Sequence, residues 1–212
     1  MINLAALLRT RAKWDRRATG IFTATFEAER RAVLRLGRRG FDTTRWIAAL
    51  RVVWQGAALD WIPQVEAMLP EPKAKQNIPD ELAEDLIGIL AGKADAIVEL
   101  TEEQWLLLGE EALDASAGRV STMATTEANQ SLAWSQHGTA RESKLTLLKV
   151  WVAINDDRTR DSHRTAHGQR RRINDPFSVG GSSLQWPADA GGPLGEIVNC
   201  RCWEDYELAP TR

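Results

Sequence analysis

The stretch Leu147-Leu148-Lys149-Val150-Trp151-Val152-Ala153-Ile154 marks the point at which the character of the chain changes. It is apolar and partly β-branched, so it predicts a β-strand. The residues after it are rich in turn formers, since six of the 15 glycines fall within residues 168–195. The residues before it carry apolar side chains at helical spacing. We therefore predict an α+β protein, with a helical N-terminal region followed by a small, loop-rich α+β domain.

The first two predicted helices lie on either side of a glycine-containing turn. One covers residues 4–36 and stops at the glycines that follow, because glycine is favoured just past a helix end. The next begins after Asp42 or Thr43, which are both good N-caps, and Pro63 is expected to kink or restart it.

Residues 70–79 contain three prolines and form the predicted linker. After it, Asp80 is expected to cap a third helix, and residues 97–108 form a separate helical run with an acidic outer face. A last helix is predicted over residues 117–137. The scattered tryptophans, nine in all, are expected to anchor the core.

The net charge of -2 is the sum of the charges of three unlike segments. Residues 1–51 carry +8, residues 52–118 carry -11 and residues 119–212 carry +1. This pattern excludes a uniformly basic nucleic-acid coat protein. It leaves a basic arm and an acidic middle segment, which suit contacts with other proteins as well as with DNA. Arginine clusters at residues 30–39 and 170–172 can neutralise phosphates or form solvated faces.

Targeting and redox features indicate a cytosolic origin. No stretch reaches about 18 uncharged apolar residues, so no membrane span is predicted. The apolar start is interrupted at Arg9 and lacks a basic n-region, so we expect no signal peptide. Cys200 and Cys202 stand too close together to form a good disulfide with each other, which favours free thiols in a reducing compartment.

The richest group of reactive side chains lies in the last third of the chain. His163 and His167 are four residues apart, which on a helical turn places both rings on one face. Together with Cys200 and Cys202 they form a tetrahedral zinc set by residue type. A bound structural zinc would also hold the glycine-rich loops in place. The alternative is that the cysteines are small buried side chains and the histidines are hydrogen-bonded structural residues.

A catalytic interpretation uses the same residues. Cys200 and His163 can act as nucleophile and base, with Asp156 or Asp157 orienting the imidazole, as in a hydrolase or a toxin-like effector. The residues around Cys200 lack the signs of a helix N-terminus or an oxyanion-donating turn. We therefore expect no enzymatic activity.

Several short motifs occur together in this half of the chain. In order they are Thr126-Glu127, Trp151, Asp156-x-Arg158-x₃-Ser162-His163-x₄-Gly168-Gln169, Pro176-Phe177, Leu184-Gln185-Trp186-Pro187 and Asn199-Cys200-Arg201-Cys202. Their order and spacing resemble the phage Mu F-like, or phage head morphogenesis, domain over residues 118–206. The resemblance divides the chain into a helical region, 1–117, and a head morphogenesis domain, 118–212.

This resemblance implies a minor head protein of a tailed bacteriophage or prophage. Such a protein is expected to act without catalysis in procapsid assembly and in DNA packaging or delivery at the portal vertex. The partners it implies are the portal and capsid proteins, with packaged double-stranded DNA as a further candidate. The expected location is the capsid interior or portal vertex of the virion, and the host cytoplasm during assembly.

Some relatives in this family carry a Cys-x₂-Cys pair and a further histidine, which strengthens the zinc interpretation. On that mapping His163, Cys200 and Cys202 fall on ligand positions, whereas Arg160 and Ile197 replace a cysteine and a histidine. His167 is then the local candidate for a fourth ligand. This sequence also has Thr125 where the family usually has an arginine before the Thr-Glu pair.

Overall fold

Long helices build the N-terminal part of the molecule, as predicted. The computed structural model describes residues 4–69 and 80–210. The long helices are α1 (Leu4–Leu36), α2 (Thr43–Glu66), α3 (Asp80–Leu108) and α4 (Glu110–Glu142). The first two bounds follow from local chemistry: Gly37, at φ +59°, ends α1, and the Asp42 carboxylate accepts a hydrogen bond from the Thr44 N–H at 2.9 Å.

Three of the helix predictions differ from the structure. The third helix and the run at 97–108 are one continuous helix, since the buried positions Leu86, Leu90, Ala94 and Val98 keep a single spacing of four residues. Because Ala94 is small, the apolar pattern of the sequence is weak at this position, and the two runs were predicted as separate helices.

The other differences concern α4 and Pro63. The last predicted helix is longer at both ends and starts after Gly109, whose φ of +59° makes the break from α3. Residues 117 and 118, the predicted domain division, therefore lie inside one helix. Pro63 lies in the last turn of α2 and does not restart it. The predicted linker at 70–79 lies outside the described residues.

Tryptophans anchor the core of the helical bundle. Trp46 and Trp54 are buried, and each indole N–H donates to a buried carboxylate on a neighbouring helix. Trp46 bonds Glu29 at 2.9 Å, and Trp54 bonds Glu127 of α4 at 2.8 Å. Pairing these polar atoms allows the large rings to be buried without a desolvation penalty for the N–H group.

A small sheet and a hairpin form the C-terminal part. The strands are β1 (Leu147–Val152), β2 (Arg170–Arg172), β3 (Phe177–Val179), β4 (Ser182–Leu184) and β5 (Trp203–Leu208). They make an antiparallel sheet in the order β2-β1-β5 and a separate β3-β4 hairpin. The predicted strand at 147–154 is confirmed for its first six residues. Short helices α5 (Asp161–Ala166) and α6 (Leu194–Ile197) lie in the connections.

The sheet is joined to the bundle by apolar packing and by the side chain of Gln136, which hydrogen-bonds the main chain of β5 as a neighbouring strand would. Leu7 of α1 and Trp61 of α2 share a buried cluster with Trp203 and Tyr206 of β5. On α4, the Gln136 amide accepts from the Glu204 N–H at 3.2 Å and donates to the Glu204 carbonyl at 2.5 Å. These bonds satisfy backbone groups on the β5 edge. None of the helices in the described ranges is long and apolar enough to cross a membrane.

The close approach of α1 and α2 predicts the effect of one substitution. A Cβ atom at Gly56 would lie 2.2 Å from the ring of the buried Trp14. We expect Gly56→Ala to lower the free energy of unfolding by about 1–3 kcal/mol, because the packed indole must shift. The measurement is urea denaturation.

Gly20→Ala is the matched control. Gly20 is an exposed α1 residue, and a Cβ atom added there would meet nothing within 4 Å. Replacing glycine by alanine inside a helix is expected to stabilise the protein by about 1 kcal/mol. Equal effects at the two glycines would contradict this account of the helix contact.

Candidate metal centre

Three buried side chains from distant segments meet beneath the sheet. His163 lies on α5, and Cys200 and Cys202 lie in the segment between α6 and β5. The His163 Nδ1 is 3.3 Å from the Cys202 Sγ and 3.7 Å from the Cys200 Sγ. Their ligand atoms all lie within 4.8 Å of one another. Donors on a tetrahedral zinc are separated by about 3.3–3.8 Å, so this group can hold a metal ion with little movement.

A carboxylate orients the histidine ring from its other side. The Glu196 Oε2 lies 3.0 Å from His163 Nε2 and accepts a 2.8 Å hydrogen bond from the Ser162 hydroxyl. In the tautomer that carries its proton on Nε2, this carboxylate accepts the N–H and the Nδ1 lone pair is left on the sulfur side to bind a metal ion. Metal-ligating histidines commonly donate their second N–H in this way. The arrangement therefore fits a metal centre and its supporting partner.

Gly180 allows this carboxylate to approach. Its φ is +57°, and a Cβ there would lie 2.1 Å from the Glu196 Oε1. Sequence reasoning identified the glycine-rich loop but did not identify Glu196. The usable signal was the Gly180-Gly181 pair between two short β-type segments, which is typical of a tight hairpin turn that can pack against a neighbour.

The electrostatics of the group favour a deprotonated Cys200. A hydrogen bond from the Cys202 thiol, opposed by burial and supported by His163, lowers the pKa of Cys200 well below its ordinary value. The same hydrogen bond, together with burial, raises the pKa of Cys202. Burial acts to lower the pKa of His163, but the hydrogen bond and charge of Cys200 outweigh it and raise that pKa. A metal cation would stabilise both sulfurs as thiolates.

The structure does not bring His167 into this group. His167 follows the last residue of α5 and has extended backbone geometry (ψ 130°), so the expected shared helical face ends before it. Its Nδ1 accepts a 3.1 Å hydrogen bond from the Ala153 N–H, and its side chain is exposed. Its role is to link α5 to the end of β1.

The cysteine segment is clamped onto the helical bundle by buried donors. The Arg11 guanidinium donates to the carbonyls of Cys200 and Arg201, both at 2.9 Å. The Asn129 amide donates to the Cys200 carbonyl at 2.7 Å, and the Thr126 hydroxyl accepts from the Asn199 N–H at 3.1 Å. The motif residues Thr126 and Asn199 are therefore in direct contact.

Other motif residues close the loop after β1. The Asp156 carboxylate makes two bonds to the Arg201 guanidinium, at 2.7 and 2.5 Å, and accepts from the Arg158 N–H at 3.1 Å. The Arg201 contact holds the pKa of Asp156 far below its usual range. The catalytic interpretation expected Asp156 to orient His163. The structure instead pairs Asp156 with Arg201. Gly168, at φ +78°, donates its N–H to the Trp151 carbonyl at 2.8 Å.

Glu127 links two helices to α4. It accepts from the Trp54 indole at 2.8 Å and from the Lys93 ammonium at 2.9 Å. Thr126 and Glu127 thus face different partners: the threonine meets the cysteine segment and the glutamate meets the bundle. Of the motif contacts described, the one between Thr126 and Asn199 joins the two parts of the molecule.

The family assignment agrees with this arrangement. A family model described as phage Mu protein F like protein matches residues 80–204. The chain belongs to this family. The match begins at α3, so the family region of this phage Mu F-like protein includes both long helices that precede the sheet. The family is one of phage head morphogenesis proteins associated with the virion.

The comparisons also found a curated relative of a different description. An NAD(+)–arginine ADP-ribosyltransferase of Enterococcus faecalis is 30% identical over 131 residues, which cover 58% of this chain and 25% of the relative. The chain therefore spans about a quarter of that protein's length. No solved structure matches the chain.

The clamp on the cysteine segment predicts a stability effect at Thr126. We expect Thr126→Val to lower the free energy of unfolding by about 1–3 kcal/mol, because the Asn199 N–H loses its acceptor in a partly buried site. Thr125→Val is the matched control, since Thr125 is half-buried on the same helix and does not bond Asn199. Denaturant unfolding measures both, and a loss at Thr125 as large as that at Thr126 would refute the assigned contact.

Proposed function

We propose that this protein is a minor head protein of a tailed bacteriophage or prophage, acting in procapsid assembly and in DNA packaging or delivery at the portal vertex. The observation that carries the proposal is the family match over residues 80–204, within which Thr126 of α4 bonds Asn199 of the cysteine segment. The protein would be located in the capsid interior or at the portal vertex, and in the host cytoplasm during assembly. Its partners would be portal and capsid proteins, and packaged DNA near its arginines.

The burial of the reactive residues supports a role without catalysis. Cys200 is 1% exposed and does not line the small pocket that reaches His163 and Cys202, so a substrate in that pocket does not meet the Cys200 sulfur. The main-chain carbonyl of Cys200 is itself occupied by Arg11 and Asn129. The alternative, a hydrolase or toxin-like effector using His163 and Cys200, has in its favour the lowered pKa of Cys200.

We also propose that the metal is a structural zinc held by His163, Cys200 and Cys202. Zinc matches the mixture of sulfur and nitrogen donors, and the Glu196 contact supplies the usual support for a histidine ligand. When bound, the ion would join α5 to the cysteine segment. It would thereby fix loops that have few apolar contacts of their own.

Two histidine variants test the zinc proposal. We expect about one zinc per chain in the purified protein, and its loss in His163→Gln together with a lower melting temperature. The loss of affinity should exceed the roughly 10–100-fold that changes in supporting residues cause. His167→Gln, the matched control, should keep its zinc. Metal analysis and thermal unfolding provide the measurements, and a metal-free wild-type protein would overturn the proposal.

An exposed apolar patch is the proposed contact with the portal protein. It comprises Leu36 at the end of α1 and three consecutive leucines, residues 106–108, at the end of α3, and we call it the leucine end. These two helix ends lie together, since the rings of Phe41 and Trp105 are 6.1 Å apart. Leu107 is 82% exposed, and contiguous exposed apolar side chains of this kind mark interaction sites. Exposed Arg35 and Arg39 lie nearby on the basic arm.

A charge introduced into the leucine end should disrupt this contact. We expect Leu107→Glu to reduce co-purification with the portal protein at least tenfold and to leave the melting temperature unchanged, because the side chain is exposed. Leu59→Glu is the matched control, since Leu59 is 63% exposed on α2, away from this patch. Retained binding by the Leu107 variant, or equal loss in both variants, would rule out the leucine end as the contact.

A further inference from the structure

We infer that the metal centre has an open fourth position that accepts a carboxylate from outside the chain. This inference rests on the zinc site proposed above. Its basis is the number of donors in the group and the character of the pocket that adjoins it. A structural zinc site is normally closed by four protein ligands, whereas an open site leaves one position for an external ligand.

The described residues provide three donors and no fourth. Among the side chains that the structure describes, His163, Cys200 and Cys202 form the group, and no further His, Cys, Asp or Glu joins it. Glu196 is directed at Nε2 of the imidazole, on the side of the ring opposite the sulfurs. It therefore cannot bind the same ion while Nδ1 does.

The other nearby candidates are already engaged. Both Asp156 oxygens bond the Arg201 guanidinium, and the Nδ1 of His167 accepts from the Ala153 N–H. Moving either side chain to the metal would break a bond that fixes the loop between β1 and α5. None of the described side chains is thus free to serve as the fourth ligand, and the proposal assigns that position to solvent or to another molecule.

A small pocket opens on the group from the side of this loop. His163 and Cys202 form its inner wall, and Arg158, Arg160 and Arg201 line it further out. Arg201 is neutralised by its bonds to Asp156. In the described part of the chain, neither Arg158 nor Arg160 lies within ion-pair distance of a carboxylate, although Arg160 donates to the Val198 carbonyl. Two of the arginines that line this pocket therefore carry a positive charge that no carboxylate in the described residues pairs with.

The balance of charge selects the class of ligand. A divalent zinc with two thiolates and a neutral imidazole is neutral. Arg158 and Arg160 add two positive charges, and the Glu196 carboxylate behind the imidazole offsets one of them, so the surroundings stay positive. An anionic oxygen donor is favoured there over water. A carboxylate fits best, because it is an ordinary zinc ligand and its second oxygen can pair with a guanidinium. An acidic side chain or chain terminus of a head protein would supply such a group and would tie the metal centre to assembly.

The test uses the full chain loaded with cobalt(II), whose visible absorption reports its coordination. Metal content is measured first, and acetate is then added as the probe. We expect the spectrum to change with acetate and the change to saturate. Arg160→Gln should keep its metal and weaken acetate binding about fivefold.

Arg160→Cys provides a gain-of-ligand variant. It places a third thiol on the pocket wall, so we expect stronger sulfur-to-cobalt absorption and no response to acetate. Arg172→Cys is the control, since Arg172 is exposed on β2 and does not line the pocket. It should respond to acetate as the wild type does.

The outcomes separate the two proposals. A metal-loaded protein that ignores acetate has a closed site, which overturns the open position and leaves the zinc proposal standing. A response to inorganic phosphate without one to acetate overturns the carboxylate assignment. A protein that takes up no metal overturns both, and the metal analysis shows this before any probe is added.

Discussion

The contact between the helical part and the C-terminal part of the molecule depends on the carbonyl oxygen of Cys200. It accepts hydrogen bonds from the Arg11 guanidinium on α1 and from the Asn129 amide on α4. Burial lowers the pKa of Arg11 to about 10, which leaves it charged at neutral pH. A buried charge of this kind is stable only when its donors are paired. The first helix is therefore held to the candidate metal centre by groups 189 residues apart.

Some arginines of the basic arm form ion pairs with acidic residues of the same molecule. Arg38 of the basic arm pairs with Glu102 on α3, and Arg30 lies 3.3 Å from Asp114 on α4. These exposed pairs contribute little stability individually. Their consequence is that the basic and acidic segments face each other at the end of the bundle that carries the leucine end. The arginines that stay exposed there remain able to meet a partner or DNA.

The metal centre shows how far residue types can predict a site. Residue type singled out four side chains, and the structure brings three of them together: His163, Cys200 and Cys202. His167 is the fourth, yet α5 ends before it and its ring turns to Ala153. Glu196 was not predictable, since a lone glutamate beside a glycine-rich loop is indistinguishable from a solvated one. Its position depends on the hairpin turn at Gly180.

The sequence by itself determined the α+β class, the family, the bounds of α1 and the start of β1. Each of these rests on local patterns of apolar spacing, capping residues and motif order. The tertiary structure decided the continuity of α3, the paired donors on the Cys200 carbonyl, the carboxylate behind His163 and the small pocket beside His163 and Cys202. These features arise from contacts between residues far apart in the chain. Such contacts form only when burial brings the helices, the sheet and the cysteine segment together.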